Sequence, residues 1–324
     1  MFWSNKRKSH NNTVHNEKKM KNAAPRHVKK QTEKFVNINL SIDFSLNAKH
    51  CDEPSQLYGA YMMLQKKEPH IITAYDSSIG NRPDQQDSCY VTKSASLSPF
   101  KLKRSFAIVC DGMGGLEAGD RASLTAVSMM KFAVSKLPTK KVDIPHFYHD
   151  MLQNIDYEIN HWDDLKTDKG AGTTLVSVLI ENRRLYWASV GDSTIFMIQD
   201  NQIKRITREH NYKMCLDEMV SGGKITQQQA DSDPQQNALI SYLGMGGLAY
   251  MDITSKPYIL RNGDLLLLCS DGVTNALTDD ELLKIVIQNS DDVYQCCKEI
   301  TKSVGAKNKE LQDNATVVAV QYVE

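Results

Sequence analysis

Two apolar runs in this chain end in the same way: Phe106-Ala-Ile-Val-Cys runs into Asp111-Gly112-Met-Gly-Gly115, and Leu265-Leu-Leu-Leu-Cys-Ser runs into Asp271-Gly272. An unbroken apolar stretch of this length predicts a strand buried on both faces, and a carboxylate at its end stands where rigid scaffold meets solvent. Two further aspartates occupy comparable joints, Asp87 before Ser-Cys-Tyr-Val91 and Asp313 before Asn-Ala-Thr-Val-Val-Ala-Val320. The same reading predicts strands over Ile71 to Asp76, Asp87 to Val91 and Arg104 to Cys110. Helical spacing of Ala122, Leu124, Val127, Met130 and Ala133 predicts a helix from Gly119 to about Leu137, and a second is expected from Phe147 to Trp162. Strands return over Thr173 to Leu179, Arg184 to Val190, Ser193 to Ile198 and Ile203 to Ile206.

Glu209 to Leu243 is polar and interrupted, and reads as a helical insertion or flap. Strands are then expected at Tyr258 to Leu260 and Asp264 to Ser270, followed by amphipathic helices over Thr278 to Gln288 and Asp291 to Ser303. Thr278-Asp-Asp-Glu281 has the spacing of a capping box. Ala315 to Val323 reads as the final strand. Strands arriving in groups with helical pairs between them predict packed antiparallel sheets covered by helices, an α+β fold rather than a βαβ repeat.

The 324 residues leave room for one large domain and an appendage. Lys and Arg together number 39 and so do Asp and Glu, so no polyanion or membrane partner is implied by the whole chain. The charge is unevenly placed, however. Residues 1–50 carry basic clusters such as Lys6-Arg-Lys8 and Arg26-His-Val-Lys-Lys30 with few aliphatics, which predicts a disordered basic tail, either simply solvated or touching nucleic acid or an anionic surface. Residues 51–69 read as a linker or added strand, and 70–324 as the folded domain. Val36 to Phe44 alternates like a strand. There is no secretory apolar region and no run of membrane-spanning length. Seven scattered cysteines without Cys-x-x-Cys spacing, several inside apolar strands, fit a reducing, cytoplasmic location.

Four carboxylates could balance two divalent cations, and oxygen donors without paired histidines or thiolates favour Mg²⁺ or Mn²⁺ over zinc. In Gly80-Asn-Arg82-Pro-Asp-Gln-Gln-Asp87 an arginine five residues before a carboxylate can bring a guanidinium fork beside a metal site, the arrangement that recognises phosphate. No Gly-x-x-x-x-Gly-Lys-Ser/Thr loop is present, nor a Cys-x5-Arg cradle, nor protein-kinase signatures. Neither Asp111 nor Asp271 has the second aspartate two positions away that an aspartyl-phosphate enzyme wants.

These residues, in this order, resemble the metal-dependent protein phosphatases of the PPM group, also called type 2C. The resemblance runs from about Ile71 to Val323. It rests on Gly80-x-Arg82 with Asp87-Ser88, on Asp111-Gly-Met-Gly-Gly115 with Gly119 and Ala122-Ser123, and on Gly172-Thr-Thr174. Val190-Gly-Asp192-Ser193, His210, Asn237-x-Leu239 before Leu243-Gly244, Ser270-Asp271-Gly272 and Asp313-Asn314 complete it. Met113, the His210 segment and Asp271-Gly-Val-Thr-Asn275 look most like the bacterial branch. The resemblance implies a central β-sandwich flanked by helices, with metals at one end. Asp111 would bridge two Mn²⁺ or Mg²⁺ ions with help from the Gly112 carbonyl. Asp271 and Asp313 would complete the partner site, Asp87 would act through water, and Asp192 could hold a weaker third ion. Arg82 would grip the substrate phosphate while a metal-bridging hydroxide attacks phosphorus.

The implied activity is hydrolysis of phosphoserine and phosphothreonine in proteins, in signalling opposite a Ser/Thr kinase. The alternative is a catalytically silent relative acting as a phosphoprotein-binding scaffold. Departures from the family pattern motivate it: Gln86 where glutamate is common, Met113 where eukaryotic members often have histidine, Thr194 where arginine is frequent, and Asn275 in place of a possible third-metal acid. The core carboxylates remain, which implies activity with weakened third-metal binding. His210 reads as a satisfied loop histidine, packing or hydrogen-bonding at the base of the flap rather than ligating metal, and Gly172-Thr-Thr174 as a structural entry to a strand.

Overall fold

The computed structural model of the protein describes residues 69–93, 95–96, 103–113, 118–162, 170–308 and 310–324. The expected basic tail over 1–50 and linker or added strand over 51–69 lie, all but Pro69, outside the described residues, as do Gly114 and Gly115.

Alternation along the buried strands sets the layering. In β4 (Arg104–Asp111), Phe106, Ile108 and Cys110 face α1 (Gly119–Lys136) and α2 (Ile144–Asn160), where they pack with Ala122, Met130, Tyr148 and Leu152. The intervening Ala107 and Val109 face the other way, toward Val176, Leu266, Leu268, Val318 and Val320. In β12 (Ala315–Val323) the same period sends Val317 and Ala319 outward onto α6 (Asp279–Gln288) and α7 (Val293–Ala306), against Leu282, Cys297 and Ile300. Because both faces of these strands are covered, they carry apolar residues at every position instead of every second one.

The result is helices, sheet, sheet and helices in four layers. One sheet runs β3 (Ala95–Ser96), β1 (His70–Ser78), β12, β11 (Leu265–Cys269), β7 (Thr194–Gln199), β8 (Gln202–Arg205). The other runs β10 (Tyr258–Ile259), β6 (Arg184–Val190), β5 (Leu175–Glu181), β4, β2 (Asp87–Val91), with β9 (Asp252–Ile253) also on β6. Pairings are antiparallel in both sheets. The expected α+β sandwich is therefore present.

Where boundaries differ from the sequence expectation, local chemistry explains it. The second helix begins at Ile144 rather than Phe147, because Asp143 caps it by accepting from the His146 amide at 3.2 Å and Pro145 suits the first turn. β5 starts at Leu175, since Thr173 is spent in bridges to Gly112 and Leu243. The capping box at Thr278 and Glu281 forms as read. The expected flap contains α3 (Tyr212–Ser221) and α4 (Gln227–Asp231). Asp271, read at the end of the strand before it, opens a short helix, α5 (Asp271–Thr274). β3 and β9, two residues each, left no readable periodicity. No helix among the described residues is long and apolar enough to cross a membrane.

Candidate active site

Register brings the first carboxylates together: Asp87 and Asp111 are directly paired across β2 and β4, at one end of their sheet. In the other sheet Cys269 pairs with Val317, so Asp271, just past β11, and Asp313, just before β12, emerge at one common end. The two ends meet, because Ser270 donates to Oδ2 of Asp87 at 2.8 Å. Asp192 arrives on the turn between β6 and β7, and Arg82 on the loop between β1 and β2.

Short hydrogen bonds hold these groups in place. The Asp111 amide donates to Oγ1 of Thr174 at 3.0 Å, and the Thr173 hydroxyl donates to the Asp111 carbonyl at 2.8 Å. Thr174 also shares a 2.7 Å hydrogen bond with Ser193, next to Asp192, which ties the turn to β5. Asn314 braces the Arg82 loop: its amide donates to the carbonyls of Ile79 at 2.8 Å and Asp84 at 3.1 Å, and its Oδ1 accepts from the Gln86 amide at 2.8 Å. Gly112 is packed so closely that a Cβ there would lie 2.2 Å from the Gly119 carbonyl oxygen.

His210 is wholly buried, and its backbone amide donates to the Gly191 carbonyl at 2.8 Å. Its Nδ1 accepts from the Gly191 amide at 3.2 Å, which leaves the proton on Nε2. Nε2 lies 3.6 Å from Asp252, beyond a formed hydrogen bond, so that contact is electrostatic. Burial alone would raise the Asp252 carboxyl, but His210 and Arg208 outweigh it and hold the group well below the usual range.

The carboxylates themselves repel. Burial, then the charges of Asp87, Asp271 and Asp192, push Asp111 well above the ordinary carboxyl range. Burial raises Asp87 to about 6 against the opposing Ser270 hydrogen bond, and burial with the Asp271 charge raises Asp192 to about 7. Asp271 is raised as well, chiefly by burial. Such a cluster is relieved by positive charge. Asp87 Oδ1 is buried and accepts no hydrogen bond, an orphaned acceptor of the kind a cation or its water satisfies.

The donor set is oxygen alone, which fits hard divalent cations such as Mg²⁺ or Mn²⁺. Among the described residues no three His, Cys, Asp or Glu side chains close round one point as a finished cage. Magnesium-type sites that use one or two carboxylates and keep several waters do not need one. At the rim, Arg82 Nη2 donates to Asp313 Oδ2 at 2.7 Å, which engages one of the guanidinium's five donors.

The seven residues singled out from the sequence thus lie at one end of the sandwich. Thr174, Ser193, Ser270 and Asn314 stand in the motifs read from the sequence, but their supporting contacts are ones that pattern reading did not assign. One departure from the family pattern takes part through its side chain, Asn275 donating to Asp271 Oδ2 at 3.2 Å; the Gln86 backbone carbonyl, which any residue there would supply, accepts from the Gly112 amide at 3.1 Å. Asp252 carried no sequence signal, since only tertiary packing brings it to His210.

An α+β sandwich with carboxylates from both sheets at one end, and an arginine on the rim, is built for metal-assisted chemistry on an anionic substrate. The family model for protein phosphatase 2C matches residues 76–219, and that for stage II sporulation protein E matches 223–323. The chain is 32% identical over 230 residues to serine/threonine phosphatase stp of Listeria innocua, covering 68% of this chain and 86% of that one. It is 31% identical over 223 residues to protein phosphatase PhpP of Streptococcus pneumoniae, covering 68% and 87%. The fold superposes on the serine/threonine phosphatase of S. agalactiae with a TM-score of 0.61 at 25% identity, covering 78% of this chain and 100% of that one. The chain belongs to the protein phosphatase 2C (PPM) family.

Proposed function

We propose that this protein is a metal-dependent serine/threonine protein phosphatase that hydrolyses phosphoserine and phosphothreonine monoesters. The observation that carries the reading is the pairing of Asp87 with Asp111 on one sheet and their junction with Ser270-Asp271 of the other. Asp111, the Gly112 carbonyl, Asp271 and Asp313 would hold two Mn²⁺ or Mg²⁺ ions, with Asp87 acting through water and Asp192 at a third. When bound, such ions lower the pKa of water and neutralise charge on phosphoryl oxygens.

The chain's own residues do the positioning. Thr173 and Thr174 hold the Asp111 backbone and Ser270 holds the Asp87 carboxylate, so little reorganisation is left for the reaction. Arg82, steadied by Asp313, offers its fork to the phosphoryl oxygens. The phosphorus–oxygen bond to the seryl or threonyl oxygen breaks as a water oxygen bonds to phosphorus; one proton of that water is given up and the leaving oxygen takes one to become the hydroxyl, with no side chain becoming phosphorylated. Asn275, neutral beside Asp271, weakens the site that includes Asp192. Catalytic silence would require lost ligands, and all the core carboxylates are present.

The six described cysteines are all free, which supports a cytoplasmic enzyme. Its natural counterpart is a Ser/Thr kinase, and the basic residues of 1–50 are suited to an anionic surface or nucleic acid.

The test is hydrolysis of p-nitrophenyl phosphate and a phosphothreonine peptide with Mn²⁺, with Mg²⁺ and with EDTA, for the wild type and Asp111→Asn. Turnover that needs the metal and is lost in the variant is expected. Wild-type rates in Asp111→Asn would overturn the assignment.

A further inference from the structure

The loops that carry Arg82 and Asp313 are locked together as one surface. Asn81 donates its backbone amide to the Gln312 carbonyl at 2.9 Å and its side-chain amide to the Glu310 carbonyl at 3.2 Å. Gly80, with φ +62°, sits so close that a Cβ would lie 2.4 Å from the Asp313 carbonyl oxygen. This surface carries two apolar side chains turned to solvent. Ile79 is 44% exposed, and Leu311, at 87%, is the most exposed large apolar side chain among the described residues.

A lone exposed leucine needs no explanation. Two aliphatic side chains on the paired loops that present the phosphate-binding arginine are a different matter. Leu311 is almost wholly and Ile79 nearly half in solvent, and both belong to the loops that carry Arg82 and Asp313. Two peptide units separate Leu311 from Asp313, at most ~7.6 Å between Cα atoms, and three separate Ile79 from Arg82, at most ~11 Å. An extended substrate advances ~3.3 Å per residue. With the phosphorylated residue at Arg82, side chains one or two positions away are within reach of these loops.

Resting on the phosphatase reading above, we propose that Ile79 and Leu311 determine specificity by docking an aliphatic side chain that lies within two residues of the phosphoserine or phosphothreonine. The occupant is a phosphoprotein segment, and the contact adds apolar burial to the charge recognition at Arg82.

The test uses the full chain with Mn²⁺ and phosphothreonine peptides of one length. They differ only in having leucine or serine at each of the two positions on either side of the phosphothreonine. At one or more positions the wild type should favour leucine by about threefold to tenfold in kcat/KM, as partial burial of one apolar side chain allows. Ile79→Ser with Leu311→Ser should bring that ratio near one without changing p-nitrophenyl phosphate hydrolysis, and Leu311→Met should retain it. No leucine preference in the wild type, or an unchanged ratio in the double variant with normal p-nitrophenyl phosphate turnover, overturns the docking surface alone. No metal-dependent turnover of p-nitrophenyl phosphate by the wild type overturns the phosphatase reading and this inference together.

Discussion

Ser270, on the strand end that leads to Asp271, donates its hydroxyl to Asp87 of the opposite sheet at 2.8 Å and accepts from the Thr316 amide at 2.9 Å. One buried hydroxyl therefore ties the two halves of the carboxylate cluster together. Ser270→Ala removes the donor to Asp87 and leaves a buried Thr316 amide without its acceptor, a loss of about 1–3 kcal/mol. Urea denaturation should show this as a lower midpoint with an unchanged m-value, accompanied by weaker metal activation. A midpoint equal to that of the wild type would mean that the serine does not join the sheets energetically.

The pKa values of Asp87, about 6, and Asp192, about 7, both lie above the unfolded value of 3.8. Groups raised in this way bind more protons in the folded than in the unfolded state, so their contribution to metal-free stability is fully present below the unfolded value and is lost as pH rises through the folded ones. In EDTA, unfolding free energy should drop between about pH 4 and pH 7 by on the order of a few kcal/mol. Metal ions bind the ionised carboxylates, so added Mn²⁺ should raise Tm more at about pH 7.5 than at about pH 5. Thermal scans with Mn²⁺ and with EDTA decide this, and an equal gain at both pH values contradicts it.

Gly272 sits against the approach to β12, where an added Cβ would lie 1.9 Å from the Asn314 carbonyl oxygen. That oxygen belongs to backbone and cannot swing aside as a flexible side chain would. Gly272→Ala should therefore shift Asn314 and Asp313, costing about 1–3 kcal/mol or more of stability and most of the metal-dependent turnover. Retention of both stability and activity would show that β12 yields freely at this point.

Much of the architecture was legible in the chain. Residues buried on both faces read as continuous apolar runs, which is why β4, β11 and β12 were found within a residue or two of their ends. The capping box at Thr278 is a local device and was equally readable. The Asp143 cap was overlooked because it lacks the matching glutamate. β9 is too short to show a period, and its pairing with Ala188 and Ser189 is a long-range choice.

The candidate site divides along the same line. Residue type and position at strand ends were enough to single out Asp87, Asp111, Asp271 and Asp313, because carboxylates beside apolar runs are a local feature of the chain. Their meeting was not local. Asp87 and Asp111 face each other through the register of one antiparallel pair, and Asp271 reaches them only because the two sheets pack face to face. Likewise His210 was readable as a loop histidine at the base of the flap, but its full burial and its contacts with Gly191 and Asp252 depend on tertiary packing. Sequence determined which residues carry the chemistry and the period that buries each strand. Tertiary structure alone decided which carboxylates share a charge and which apolar side chains, Ile79 and Leu311, stay beside the site, since Coulomb repulsion and burial depend on distances between residues far apart in the chain.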